Sequence, residues 1–262
     1  MTNEILYAHD AHIATITLHR PEARNAWTEQ MIDEMHHALT RAASDPDVRA
    51  VLLTGAGQSF CAGGDLKAMQ QRTGMFAGDP VELRTRYTEG LQSITRRMEG
   101  MEKPVVAAIN GAAIGAGLDL SLMCDVRVAS EKAKLGSTFA AVGLIPGDGG
   151  AYLLTRTIGF PRAVELILTA RVLTAQAALA IDLVHEVVPH DDVLSRAHEV
   201  ASEMARLPPA AVRMAKTALY RTYNRDLELA LQLTAALQGL VQHSPDHEAA
   251  VDRILAKISK DA

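Results

Sequence analysis

The chain has 262 residues, 48% hydrophobic and 22% charged, with a formal net charge of -5. This is the make-up of a globular protein with one large domain, or a core with a short helical extension. The acidic balance argues against nucleic-acid binding, which needs a basic surface to neutralise phosphates, and no apolar run reaches membrane-spanning length. Both cysteines, Cys61 and Cys124, sit in apolar or glycine-rich surroundings, and no targeting pattern opens the sequence. Free thiols in a reducing cytoplasm are the expectation.

In chain order, residues 13–18 read as a strand. Thr28 then caps a helix whose apolar face is Met31, Met35, Ala38, Leu39 and Ala42. The apolar run 50–54 reads as a strand and runs towards a first glycine loop, Phe60-Cys61-Ala62-Gly63-Gly64-Asp65-Leu66. Residues 70–86 have no apolar period, contain Gly74, Gly78 and Pro80, and read as a mobile loop. A helix is expected at 91–98 and a buried strand at 104–109. A second glycine loop follows, Asn110-Gly111-Ala112-Ala113-Ile114-Gly115-Ala116-Gly117-Leu118-Asp119, and runs into a helix over 116–124. Strand 126–129, helices 151–158, 161–169 and 175–181, and a short strand 184–188 come next. From Asp191 the pattern is helical, interrupted at Pro208-Pro209 and Ser244-Pro245. Alternating strands and helices predict an α/β fold with parallel pairing.

Each glycine loop follows a strand, and the second opens a helix. Glycine permits close approach of backbone to another group, and a helix start presents unpaired N–H groups with a positive dipole end. Two such loops are suited to aim two N–H donors at one developing oxyanion.

The two loops, with His19-Arg20-Pro21-Glu22-Ala23-Arg24-Asn25-Ala26, Met123-Cys124-Asp125-Val126-Arg127-Val128-Ala129 and Gly143-Leu144-Ile145-Pro146-Gly147-Asp148-Gly149-Gly150, resemble the enoyl-CoA hydratase/isomerase (crotonase) family along nearly the whole chain. The resemblance implies a spiral core of repeated ββα turns over residues 1–206. A helical C-terminal region, 207–262, would serve oligomerisation as a homotrimer or dimer of trimers. It implies an acyl-CoA substrate, with coenzyme A as part of the substrate and no separate cofactor. The reaction would proceed through a thioester enolate held by the backbone N–H groups of Gly64 and Ala116.

Asp119 falls where the family's hydratases carry a catalytic glutamate and its dienoyl isomerases an aspartate. Phe139 falls at the second hydratase glutamate. Phenylalanine neither activates water nor delivers a proton, so isomerisation or other enolate chemistry is expected over efficient hydration. Asp148, in a glycine-rich turn, is a second acid/base candidate. Its Pro-Gly-Asp-Gly wording resembles a family member that cleaves β-diketones, but no histidine lies between Leu135 and Asp148 here. A hydratase with an unusual acid/base set, a β-diketone hydrolase, and a non-catalytic acyl-CoA or RNA-binding relative stand as alternatives. Arg24, Ala62, Asp65 and Leu66 match the family's CoA-handling stretch, and Met69, Met75, Phe76 and Phe139 are candidates for the acyl pocket. Ten histidines suggest a metal only superficially, since Pro245 interrupts the helix that would align His243 with His247. No metal site is expected. The stripe Leu227, Leu231, Thr234 and Leu237 belongs either to an intrachain core or to a subunit contact.

Overall fold

The computed structural model describes residues 3–261. The chain opens with an antiparallel pair, β1 (Ile5–Asp10) and β2 (Ile13–Leu18), and α1 (Glu29–Ser44). Three turns follow in which a longer strand, a three-residue strand and helical structure succeed one another. The first is β3 (Ala50–Gly55), β4 (Ser59–Cys61) and α2 (Leu66–Gln71), α3 (Pro80–Glu89) and α4 (Leu91–Glu99). The second is β5 (Val105–Ile109), β6 (Ala112–Ile114) and α5 (Ala116–Leu122). The third is β7 (Val126–Ser130), β8 (Lys134–Gly136), then α6 (Gly150–Ile158) and α7 (Phe160–Thr169). Next come β9 (Val172–Thr174), α8 (Ala175–Leu179), β10 (Glu186–Val188), α9 (Val193–Ala205), α10 (Pro209–Thr222), α11 (Leu227–Gln242) and α12 (Pro245–Asp261).

The longer strands, with the three-residue β10 at one edge, form a six-stranded sheet, β1-β2-β3-β5-β7-β10, parallel except at β1–β2. The short strands form a second sheet, β4-β6-β8-β9. This is the spiral α/β core. Alternation along β3 and β5 decides which core each residue enters. Val51, Leu53, Val105, Ala107 and Ile109 face the main core with Trp27, Met31, Met35 and Phe60. Ala50, Leu52, Val106 and Ala108 face α9, whose Ala197, Ala201 and Ala205 let the helix approach closely. α1 forms as its pattern predicts: the Thr28 hydroxyl accepts the Met31 N–H at 3.0 Å, and Met31, Ile32, Met35 and Leu39 are buried. Each such side chain contributes about 1.5–3 kcal/mol.

One sequence expectation needs correction. Residues 70–86 are not a loop; they end α2, form a 3-10 turn at Gly74–Phe76 and enter α3. The stop signals are real, but Asp79 and Glu82 form a capping box and Pro80 takes the first helical position, where its missing N–H costs nothing. The three-residue strands of the second sheet carry no measurable period of their own and were implied only by the ββα resemblance.

A polar cluster at Asp125 helps attach α10 to the core, alongside the Arg213–Glu102 pair. Asp125 accepts from the Val105 N–H at 2.6 Å, from Lys216 Nζ at 2.7 Å and from the Tyr220 hydroxyl at 2.6 Å. Beyond α10, no residue of α11 is buried, and Leu227, Leu231 and Leu240 stand exposed. The intrachain core offered for the Leu227 stripe is therefore not formed. Among the described residues, no helix is long and apolar enough to cross a membrane.

Candidate active site

The two glycine loops meet. Asn25, buried in a left-handed conformation (φ 56°), ties down the first loop. Its side-chain amide donates to the carbonyls of Ala56, Ser59 and Phe60. The Ala62 N–H bonds the Arg24 carbonyl at 3.0 Å, and the Trp27 N–H bonds Gly63 at 2.9 Å. Gly63 has φ +85°, and a Cβ there would lie 2.6 Å from the Ile114 carbonyl oxygen and 3.2 Å from the Ala116 nitrogen. Gly115 has φ +56° and donates its N–H to Gly136 at 2.9 Å. A Cβ on Gly117 would collide with the Cys61 carbonyl, so α5 can seat on β4 only through glycine. Gly64 and Ala116 thus stand side by side at the loop junction, and neither N–H has an acceptor among the described residues.

Asp119 lies one turn along α5 from Ala116 and is fully buried. Asp148 is 2% exposed and precedes Gly149 and Gly150, where α6 begins. The Asp119 carboxyl occupies the space a Cβ on Gly150 would fill. Neither Asp119 oxygen, nor Oδ1 of Asp148, has a hydrogen-bond partner of full geometry. The Gly150 N–H and the Asp148 carboxyl are the polar groups nearest in effect to Asp119. Burial pushes the Asp119 carboxyl well above the usual range, and the charge of Asp148 pushes it further. Burial also raises Asp148, opposed by the hydrogen bond Asp119 offers it. Two adjacent buried acids cannot both ionise cheaply, so the arrangement favours one proton shared between them, held mainly by Asp119.

The turn that carries Asp148 is tied to α4. Gln92 Nε2 on α4 donates to the Gly147 carbonyl at 2.7 Å, and the Thr95 hydroxyl donates to the Asp148 carbonyl. The Thr95 methyl would lie 3.0 Å from a Cβ on Gly149, which has φ +113°.

Of the apolar candidates, the Met69 methyl and Phe76 ring cover Gly64, the ring tip 3.2 Å from the position of a Cβ there. Phe139 packs 3.8 Å from the corresponding position on Gly115. Met75 is buried in the main core. Asp65 caps α2 by accepting from the Lys67 and Ala68 N–H groups, and Arg24 and Leu66 lie exposed near the same loop. The thiols of Cys61 and Cys124 are pushed up to about 12 by burial, which keeps them protonated. Asn25, Gln92 and Thr95 were given no role by sequence reasoning. The only signal for Asn25 was an amide side chain in a turn, and nothing local marks the other two. A cavity of about 590 Å³ lies elsewhere, lined by Tyr152, Arg156, Tyr220 and Tyr223 among others, and includes neither acid.

The enoyl-CoA hydratase/isomerase family model matches residues 8–259. The short-chain-enoyl-CoA hydratase of Clostridium acetobutylicum is 34% identical over 97% of this chain and 95% of its own. The chain belongs to the enoyl-CoA hydratase/isomerase family. The 2,3-dehydroadipyl-CoA hydratase of Escherichia coli is 32% identical over 99% of this chain and 98% of its own. The crystal structure of an enoyl-CoA hydratase from Bacillus anthracis superposes with a TM-score of 0.91 at 35% identity, covering 97% and 96% of the two chains. The protein is thus an acyl-CoA enzyme of the enoyl-CoA hydratase/isomerase family.

Proposed function

We propose that this enzyme shifts a double bond in an enoyl-CoA thioester, with Asp119 and Asp148 as a one-proton acid pair and Gly64 and Ala116 as the oxyanion donors. The observation that carries the reading is the closeness of two buried carboxyls, one of them, Asp119, a helical turn from Ala116. In a 3-enoyl-CoA, the ionised member takes a proton from the second carbon. The electron pair moves into the thioester carbonyl, and the oxyanion is met by the two N–H groups, each worth roughly 3 kcal/mol. The other member delivers its proton to the fourth carbon, the carbonyl re-forms, and the product is the 2-enoyl-CoA. The pair again holds one proton, so the cycle closes without a further reactant.

Hydration is the second reading, since Asp148 supplies a second carboxyl near Asp119 and the relatives above are named hydratases. Phe139 speaks against it: its ring packs beside Gly115 at the position where the resemblance puts the second hydratase glutamate. The test is to supply hex-3-enoyl-CoA and crotonyl-CoA separately and follow enoyl absorbance. Isomerisation should exceed hydration by about 100-fold or more, the contribution of one acid/base group. Hydration equal to or faster than isomerisation would reverse the choice. The enzyme is further proposed to self-associate through the exposed apolar residues of α11 and α12, which include Leu227, Leu231, Ile254 and Ile258.

A further inference from the structure

Helix α3 runs over the site, and only two of its side chains, Leu83 and Tyr87, are turned inward, one turn apart. The edge of the Tyr87 ring lies 3.8 Å from the position of a Cβ on Gly147, the residue before Asp148. Burial, and then the charge of nearby Asp148, raise the phenol above its usual range, so its O–H stays a donor at every working pH. That hydroxyl has no acceptor among the described residues. The turn leading into α3 carries Met75 and Phe76, and Phe76 covers Gly64, so α3 and its lead-in turn border both the oxyanion loop and the Asp148 turn. A half-buried donor in such a setting gains from an acceptor on the ligand, and a site that holds one discriminates against ligands lacking it.

We propose that Tyr87 is a specificity-determining residue that donates a hydrogen bond to a neutral oxygen on the acyl chain, beyond the carbons at which the acid pair acts. The inference rests on the acyl-CoA site proposed above, and it names the substrate class: acyl chains carrying a hydroxyl or oxo group. The thioester is fixed by Gly64 and Ala116 and the reacting carbons lie at Asp119 and Asp148. Tyr87, next along the Asp148 turn, therefore meets the more distant part of the chain. A carboxylate at that end is disfavoured, because it would share the region with the ionised member of the acid pair.

The test is binding, which does not depend on which reaction follows. Calorimetry would compare hexanoyl-CoA, 6-hydroxyhexanoyl-CoA and adipyl-CoA on the wild type and on Tyr87→Phe, which keeps the ring and its packing. The hydroxylated chain should bind the wild type about 5- to 10-fold more tightly than either other chain, the value of one neutral hydrogen bond. Tyr87→Phe should remove that preference and leave hexanoyl-CoA affinity unchanged. Equal affinities in the wild type, a preference that survives Tyr87→Phe, or tightest binding of adipyl-CoA would each overturn the assignment. A preference removed by Tyr87→Phe in an enzyme that hydrates rather than isomerises would uphold Tyr87 and overturn only the proposed reaction.

Discussion

At the scale of single residues, the site depends on groups that lack ordinary partners. Asp119 is fully buried beside Asp148, with neither oxygen in a hydrogen bond of full geometry, an arrangement that costs stability. The sign of that cost is testable. The folded-state carboxyl titrates above its unfolded value, so the native state binds more protons, and stability falls as pH rises through the window between the two. Asp119→Asn removes that penalty. It should raise the free energy of unfolding at pH 7 by on the order of 1–3 kcal/mol. The gain should vanish below about pH 4, where the wild-type acid is protonated in both states. Denaturant melts at the two pH values would decide it; a variant no more stable at pH 7 would show that Asp119 is better compensated than its surroundings indicate. The same variant should lose about 100-fold or more in kcat with acyl-CoA affinity nearly intact, the pattern of a group acting in the transition state. Asp148→Asn should cost a similar factor, and the double variant little more than either single one, because the acids act as a unit. Additive losses would show two independent roles.

Glycines and helix caps set the geometry at the scale of elements. Gly150→Ala places a methyl group where the Asp119 carboxyl sits, so it should depress kcat at least tenfold while α6, where alanine is a better helix former, persists. Circular dichroism alongside steady-state kinetics would separate the two effects, and full activity would show that the carboxyl has room to move. α3 has few inward residues and is held at its start by the Asp79–Glu82 capping box. Asp79→Ala should cost about 1 kcal/mol locally. Hydrogen exchange over residues 80–89 should then quicken about fivefold, with the strands β3 and β5 unaffected. Unchanged exchange in that segment would mean that packing rather than the cap holds the helix.

At the scale of the whole molecule, a small latch fastens α10 to the core and an apolar surface lies uncovered beyond it. Lys216 and Tyr220 fasten α10 to Asp125. Lys216→Met would leave the carboxyl without its cation and should lower stability by about 3 kcal/mol, as breaking one side of a buried pair does. A loss below about 1 kcal/mol would show that the Tyr220 and Val105 donors suffice. α11 and α12 expose Leu227, Leu231, Leu240, Ile254 and Ile258, the surface proposed for self-association. Sedimentation should therefore show an oligomer, and Leu227→Glu with Ile254→Glu should shift it towards the monomer. A monomeric wild type would refute the proposed association.

The sequence by itself determined the elements with a clear period and the residues of the two glycine loops. α1 and β3 follow from local patterns of burial, and the family likeness follows from four motifs in order. It also determined that Asp119 shares a helix with Ala116, because that is a matter of helical spacing. It did not determine that Asp119 and Asp148 lie close, since they are brought together only when α6 starts against α5 with a glycine between them. Nor did it show that Asn25, Gln92 and Thr95 fix the loops, because each acts across 30 or more residues on a backbone carbonyl, which leaves no local pattern. The capped helix α3 was hidden for a related reason: a helix with two inward side chains has no apolar period to read. Tertiary structure alone decided the pairing of the acids, because the low-dielectric space that makes them share a proton exists only once the spiral has closed around them.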